Sequence, residues 1–320
     1  MNIGSIDLRS PFVVATTMLL CVWAFGVLTI DGFGSTFSQT SMLLLASLLG
    51  IAAVGQTLVM LLGGIDLSVP FVIGAANILA AELYGRGLPF GVVIALVLAS
   101  SAVVGAFNGL VSSRFQVHPL IVTLGTGTFV LGAIQVWNRG MTAGSAPAWV
   151  SRVVSPGGSF GPLPVPTVVV LWAVISVGVV LVLRRTSYGK RVYAYGSSPE
   201  AARYCLISPT RLWTTTFAVS GFFSGLTGML LLGFTGGASA SAGLPYLFLS
   251  VAAVVVGGTS MLGGRGGYGG TILGALLLTA LSTILAGRGM SGSIRQMAVG
   301  LLILAIVAAY GRQPALRTRI

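Results

Sequence analysis

The sequence predicts an all-α membrane protein of about ten transmembrane helices, some short or broken, with both termini cytoplasmic. Three observations carry this reading. Only 7% of the 320 residues are charged and 55% are hydrophobic, with mean hydropathy +0.99. A soluble domain carries about 25% charged residues, so this chain cannot build a water-facing surface. Apolar runs of spanning length recur along the whole sequence. The 46 glycines suit closely packed membrane helices.

The first run, residues 11–30, is too long for the apolar core of a signal peptide, and no A-x-A site follows. It reads as a retained first helix. Further segments lie near 41–62, 69–84, 90–112, 119–137, 167–183, 212–233, 244–262, 268–286 and 293–311, the third and sixth being short. Short or Gly-broken segments belong where they are buried in protein or line a cavity. With both ends inside, the inner side holds Arg9, Arg114, Arg184, Arg185, Lys190, Arg191, Arg203, Arg211, Arg265, Arg312, Arg317 and Arg319. The outer side holds Arg86, Arg139, Arg152, Arg288 and Arg295. This asymmetry sets the orientation. It also assigns the +12 net charge to membrane topology rather than to nucleic-acid binding.

Two connections are long. Residues 138–166 carry PGG and PLPVP and read as an ordered, non-helical outer loop. Residues 184–211 are strongly basic and contain SSPEAARYCLISPTR. There Ser198 is a good N-cap, Pro199 suits the first helical position and Glu200 favours the positive helix start. Ala201 and Ala202 favour helix, Arg203 follows Glu200 by three residues, and Pro209 stops the run. A short cytoplasmic helix of about two turns is expected. It carries more helix-start signal than a loop that merely orients the protein would need, as a helix entering a partner's groove would.

VMLLGGIDLSVPFVIG, from Val59 to Gly74, places one acid, Asp66, in a very apolar region. A charge at the bilayer centre costs at least about 2.5–3.5 kcal/mol. Gly63 and Gly64 end one helix, and Asp66 or Ser68 caps the next, with Pro70 in its first turn. A second break is expected at Gly257 and Gly258, where VGGTSML (256–262) repeats LGGIDLS (62–68). Such breaks lie on permeation paths and move during gating. Polar residues on the spans, Gln56, Asn77, Asn108, Thr123, Thr126 and Gln135, either line a pore or make interhelical hydrogen bonds. Gly221, Gly225 and Gly228 form a packing face, and His118 before Pro119 reads as a hydrogen-bonded helix-start residue.

Catalysis by this chain is not expected. There is no G-x-x-x-x-G-K phosphate loop; GGRGGYGGT (263–271) lacks the lysine and reads as a tight inner turn. No Ser/His/acid or paired-carboxylate arrangement stands out, and no metal-type spacing joins His118, Cys21 and Cys205. No disulfide is expected between those cysteines.

TSYGKRVYAYGSSPEAARYCLI (186–207) resembles the cytoplasmic loop of permease subunits of monosaccharide ABC importers of the ribose type. GQTLVMLLGGIDLSV (55–69), PLIVTLGTGTFVLG (119–132) and VAAVVVGGTSMLGGRGGYGGTILGA (251–275) resemble the same family, in the same order and spacing. The resemblance implies one transmembrane permease domain over residues 1–320, with a cytoplasmic coupling loop at 184–211. It implies a bacterial inner-membrane subunit forming half of a sugar-import pore that works by alternating access. Expected partners are an ATP-binding subunit that holds ATP and Mg, a second permease copy or homologous permease, a periplasmic sugar-binding protein, and membrane lipid. The chain itself would bind no cofactor. Ser198, Pro199, Glu200, Ala201, Ala202 and Arg203 would form the coupling helix. The sequence departs from the family where Ser198 replaces Asn, Leu206 replaces Gly, Pro70 replaces Gly, and Leu247 and Leu249 replace acids. The different-class alternative is an ion-gradient-driven secondary transporter with Asp66 and Glu82 as coupling acids.

Overall fold

The computed structural model describes residues 11–140, 144–298 and 300–301. Among these the fold is helical, without a named strand; a lone bridge pairs Phe160 with Leu163. The helices are α1 (Pro11–Thr29), α2 (Thr36–Leu61), α3 (Val69–Gly85), α4 (Phe90–Phe115), α5 (Pro119–Trp137), α6 (Ala148–Val153), α7 (Thr167–Arg185), α8 (Ser187–Ser197), α9 (Pro199–Tyr204), α10 (Pro209–Thr235), α11 (Tyr246–Val256) and α12 (Tyr268–Gly287). A 3₁₀ turn, Ala240–Gly243, precedes α11. Among the described residues seven helices (α1, α2, α4, α5, α7, α10 and α12) are long and apolar enough to cross a membrane.

α2 forms the centre and is buried along most of its length. At 26 residues it is about 39 Å long, more than a bilayer core requires. In a bilayer, apolar side chains gain little by leaving lipid, so close backbone approach and internal hydrogen bonds must hold the helices together. α4 and α10 meet in this way. A Cβ on Gly105 would lie 2.0 Å from the Phe217 carbonyl oxygen, and one on Gly221 would lie 2.0 Å from that of Ser101. Gly225 and Gly228 continue this face against Ser101 and Ile73, as expected. Polar ties cross the core as well. Thr57 and Thr271 hydroxyls lie 2.9 Å apart, Trp172 Nε1 donates to Tyr268 Oη at 2.9 Å, and Tyr268 Oη donates to the Gly50 carbonyl at 2.8 Å.

Three expectations need correction. Segment 244–262 is not one span: α11 has 11 residues, about 16 Å, and ends where Gly257 and Gly258 turn the chain. The outer connection 138–166 is not wholly non-helical, because Pro147 starts the six-residue α6, which buries Val150. The connection 184–211 holds two helices rather than one. α8 was missed, although Gly189, Val192 and Tyr195 recur at three-residue spacing and form its buried face. Expected segment 293–311 lies largely outside the described residues, as do both chain ends.

Candidate functional site

α9 and the two helix breaks lie at the same end of the bundle. Ser198 is both the C-cap of α8 and the N-cap of α9, and its hydroxyl accepts from the Ala201 N–H at 3.2 Å. Pro199 takes the first turn. Ala202 turns inward and is buried with Val192, Tyr195 and Leu212. Pro199, Glu200, Ala201 and Arg203 face outward. Beyond them Tyr204 and Leu206 are 82% and 94% exposed. The helix closes as a Schellman cap: Leu206 N–H donates to the Arg203 carbonyl and Ile207 N–H to that of Ala202. Leu206 therefore adopts φ +58°, a left-handed conformation that glycine takes without strain. The Gly-to-Leu departure leaves the helix end intact and places an exposed apolar side chain there.

The break after α2 uses the same cap. Gly63 N–H donates to the Met60 carbonyl and Gly64 N–H to that of Val59, with Gly63 at φ +85°. After α11, Gly258 N–H donates to the Val255 carbonyl and Thr259 N–H to that of Val254, with Gly258 at φ +84°. The repeat is therefore offset by one residue from the expected alignment. Gly63 matches Gly258, whereas Gly257 keeps right-handed φ −68° as the last turn of α11. The two breaks also touch, since Gly264 N–H donates to the Leu61 carbonyl at 2.9 Å.

Asp66 is buried in the turn that leads into α3, two residues before its N-cap position Ser68, and holds that residue in place. Its Oδ1 accepts the Ser68 N–H at 2.9 Å as well as the Ser68 hydroxyl. Its Oδ2 accepts the Ser220 hydroxyl from α10 at 2.6 Å. Ser68 makes no cap bond of its own; its hydroxyl accepts Asn108 Nδ2 at 3.0 Å. Leu67 N–H donates to Thr123 Oγ1 of α5 at 3.0 Å. The break is thus tied at one level to α4, α5 and α10. Ser220 was missed, and nothing in the sequence pairs it with Asp66 across 154 positions.

The remaining polar candidates divide. Asn77 is structurally engaged: its Nδ2 donates to the Gly228 carbonyl at 3.0 Å and its Oδ1 accepts the Ser239 N–H at 2.8 Å. Gln56 is fully buried with neither amide atom hydrogen-bonded, and Asn108 Oδ1 is likewise unpartnered. Thr126 is half-buried on α5. His118 caps α5 by accepting the Leu120 N–H, and Cys21 and Cys205 are free thiols. Glu82 lies toward the opposite end of α3, about 20 Å from the Asp66 break, and pairs with Arg86 at 3.0 Å. Arg86 also lies over the Trp137 ring, 4.7 Å from its centre. Asp66 and Glu82 therefore do not form one site.

Tyr193 of α8 reaches the α11–α12 connection and donates to the Gly266 carbonyl at 2.9 Å. Burial pushes its phenol above the ordinary value, opposed by the nearby Arg184 charge, so it stays a neutral donor. Among the described residues no group of three or more His, Cys, Asp and Glu could hold a metal ion.

Residues 38–307 match the family described as "Branched-chain amino acid transport system / permease component". The chain is 33% identical over 309 residues to the fructose import permease of Rhizobium meliloti, covering 93% of this chain and 85% of that one. It is 35% identical over 264 residues to the ribose import permease of Haemophilus influenzae, covering 81% and 80%. It is 28% identical over 300 residues to an autoinducer 2 import system permease of Salmonella paratyphi A, covering 92% and 89%. No solved structure matches it. With its spanning helices and this match over most of its length, the chain belongs to this family of transport permease components and is a multi-pass protein of the inner membrane.

Proposed function

We propose that the chain forms half of the pore of an ATP-driven monosaccharide importer and that α9 is its docking element for a separate ATP-hydrolysing subunit. Two sugar-import permeases, at 33% and 35% identity, support the substrate class. The observation that carries the docking assignment is the form of α9: a capped helix, one face anchored by Ala202, the other presenting Ala201, Arg203, Tyr204 and Leu206. On this reading the α9 end is cytoplasmic, consistent with the basic residues of 184–211. ATP and Mg belong to the partner, and a periplasmic binding protein delivers the sugar to the opposite end. A second copy or a homologous permease completes the pore.

Closure of the ATPase pair would displace α9 and reorient the helices around the breaks at Gly63, Gly64, Asp66 and Ser68 and at Gly257 and Gly258. Gln56, with neither amide atom partnered, and Asn108, with its Oδ1 unpartnered, are the polar candidates free to meet sugar hydroxyls when those breaks open. Asn77 and Thr123 hold the frame, and Thr126 is half-buried beside it on α5. The test is uptake of labelled ribose and fructose by vesicles carrying the reconstituted importer. ATP supplied on the α9 side should drive uptake without an ion gradient. Uptake that follows a proton or sodium gradient and ignores ATP would sink this reading.

A further inference from the structure

We propose that Gly196 and Tyr193 of α8 form a joint that carries displacement of α9 directly to both helix breaks; this rests on the transport reading above. α8 and α9 meet at the single residue Ser198, so movement of α9 is immediately movement of the last turn of α8. In that turn Gly196 lies against two other backbones. A Cβ there would sit 1.9 Å from the Leu61 carbonyl oxygen, at the end of α2, and 2.6 Å from the Gly264 nitrogen. The same carbonyl accepts the Gly264 N–H. A Cβ on Gly263 would come within 3.0 Å of the carbonyl oxygens of both Gly196 and Leu61, and one on Gly264 would meet the Ser197 nitrogen at 2.7 Å. Tyr193, one turn earlier, adds its hydrogen bond to the Gly266 carbonyl.

Three chain segments therefore meet backbone to backbone at these glycines, with the Tyr193 hydroxyl as an added tie: the end of α8, the end of α2, and the connection from α11 to α12. A contact of this kind has no side-chain rotamers to absorb a displacement, whereas an ordinary packed interface does. Gly63 and Gly258 start the turns on either side of the contact. A purely structural role would require these glycines for folding only. A joint requires them for the response of the breaks to nucleotide.

The test uses the importer purified with its ATPase subunit, both native cysteines replaced by serine, and Leu67→Cys as a reporter in the first break. Its labelling rate by N-ethylmaleimide is compared without nucleotide and after trapping with ATP and vanadate. The parent should change by about fivefold or more, the lower range of ordinary allosteric coupling. Gly196→Ala should retain the ATPase subunit and hydrolyse ATP, yet leave labelling unresponsive to trapping. Tyr193→Phe, which removes one hydroxyl and adds no bulk, should weaken the response while keeping hydrolysis. A parental response in both variants would overturn the joint. If Gly196→Ala fails to fold, Tyr193→Phe decides alone, and an unchanged response overturns it. Loss of the ATPase subunit from Tyr193→Phe would assign the residue to docking and overturn it too. An unresponsive parent would instead refute the transport reading on which the joint depends.

Discussion

Replacing Asp66 separates its role in the turn before α3 from any use of its charge. Asp66→Ala removes the acceptor for three donors: the Ser68 N–H, the Ser68 hydroxyl and the Ser220 hydroxyl. The hydroxyls can turn elsewhere. Neighbouring Thr216 and Ser224 already donate to carbonyls four residues back on α10, and Ser220 can do likewise. The Ser68 N–H cannot turn, and it is buried. An orphaned buried donor costs about 1–3 kcal/mol. A destabilisation of about 2 kcal/mol is expected for Asp66→Ala. Asp66→Asn keeps an oxygen for the Ser68 N–H and places an amide where Ser220 can accept, so its cost should stay below about 1 kcal/mol. The assay is the midpoint of thermal or chemical unfolding in detergent, followed by tryptophan fluorescence, beside uptake in vesicles. The predicted order of stability is parent, Asn, Ala, with uptake retained in Asn. Equal destabilisation by both, or an Asn variant that folds and assembles normally yet transports nothing, would refute this role in the turn.

Leu206→Gly should stabilise the α9 end by about 0.5–1 kcal/mol, since it relieves a left-handed leucine that buries almost nothing; unfolding midpoints would register the gain. The same substitution should weaken retention of the ATPase subunit if the exposed side chain enters the partner's groove, which a wash series in a pull-down would show. Gly105→Ala should cost about 1–3 kcal/mol and lower the yield of folded protein in size-exclusion profiles, because its methyl meets the Phe217 carbonyl rather than a yielding side chain. Glu82→Gln should change stability by less than about 1 kcal/mol and leave uptake intact, as its partner Arg86 is a surface pairing. Loss of uptake in that variant would revive an ion-coupled mechanism.

The membrane class and most helices were legible because they rest on composition and run length, which the bilayer enforces. The α9 start was legible for a different reason: Ser198, Pro199 and Glu200 encode it locally. α8 was not, because its apolar face is only Gly189, Val192 and Tyr195 among basic residues, and its burial comes from packing against other helices. Hydropathy alone draws the segment 244–262 too long because it does not register the left-handed turn at Gly258, which the Gly257–Gly258 pair marks. The place of Asp66 at the start of α3 was readable from its neighbours, whereas the bond from Ser220 depends on how α2, α10 and the break meet in space. The same holds for Gly196 and Gly264, since a glycine required by a distant backbone looks like any other of the 46.

The most direct test of the central claim is purification of the tagged chain from its native membrane in mild detergent, with mass spectrometry of what accompanies it. The same purification is made for Ala201→Trp, which places a large side chain on the outward face of α9. The account predicts an ATP-hydrolysing subunit with the parent chain and its loss from the variant, which should still fold because Ala201 is exposed. Recovery of the parent without such a subunit, or equal recovery of it with both chains, would contradict the account.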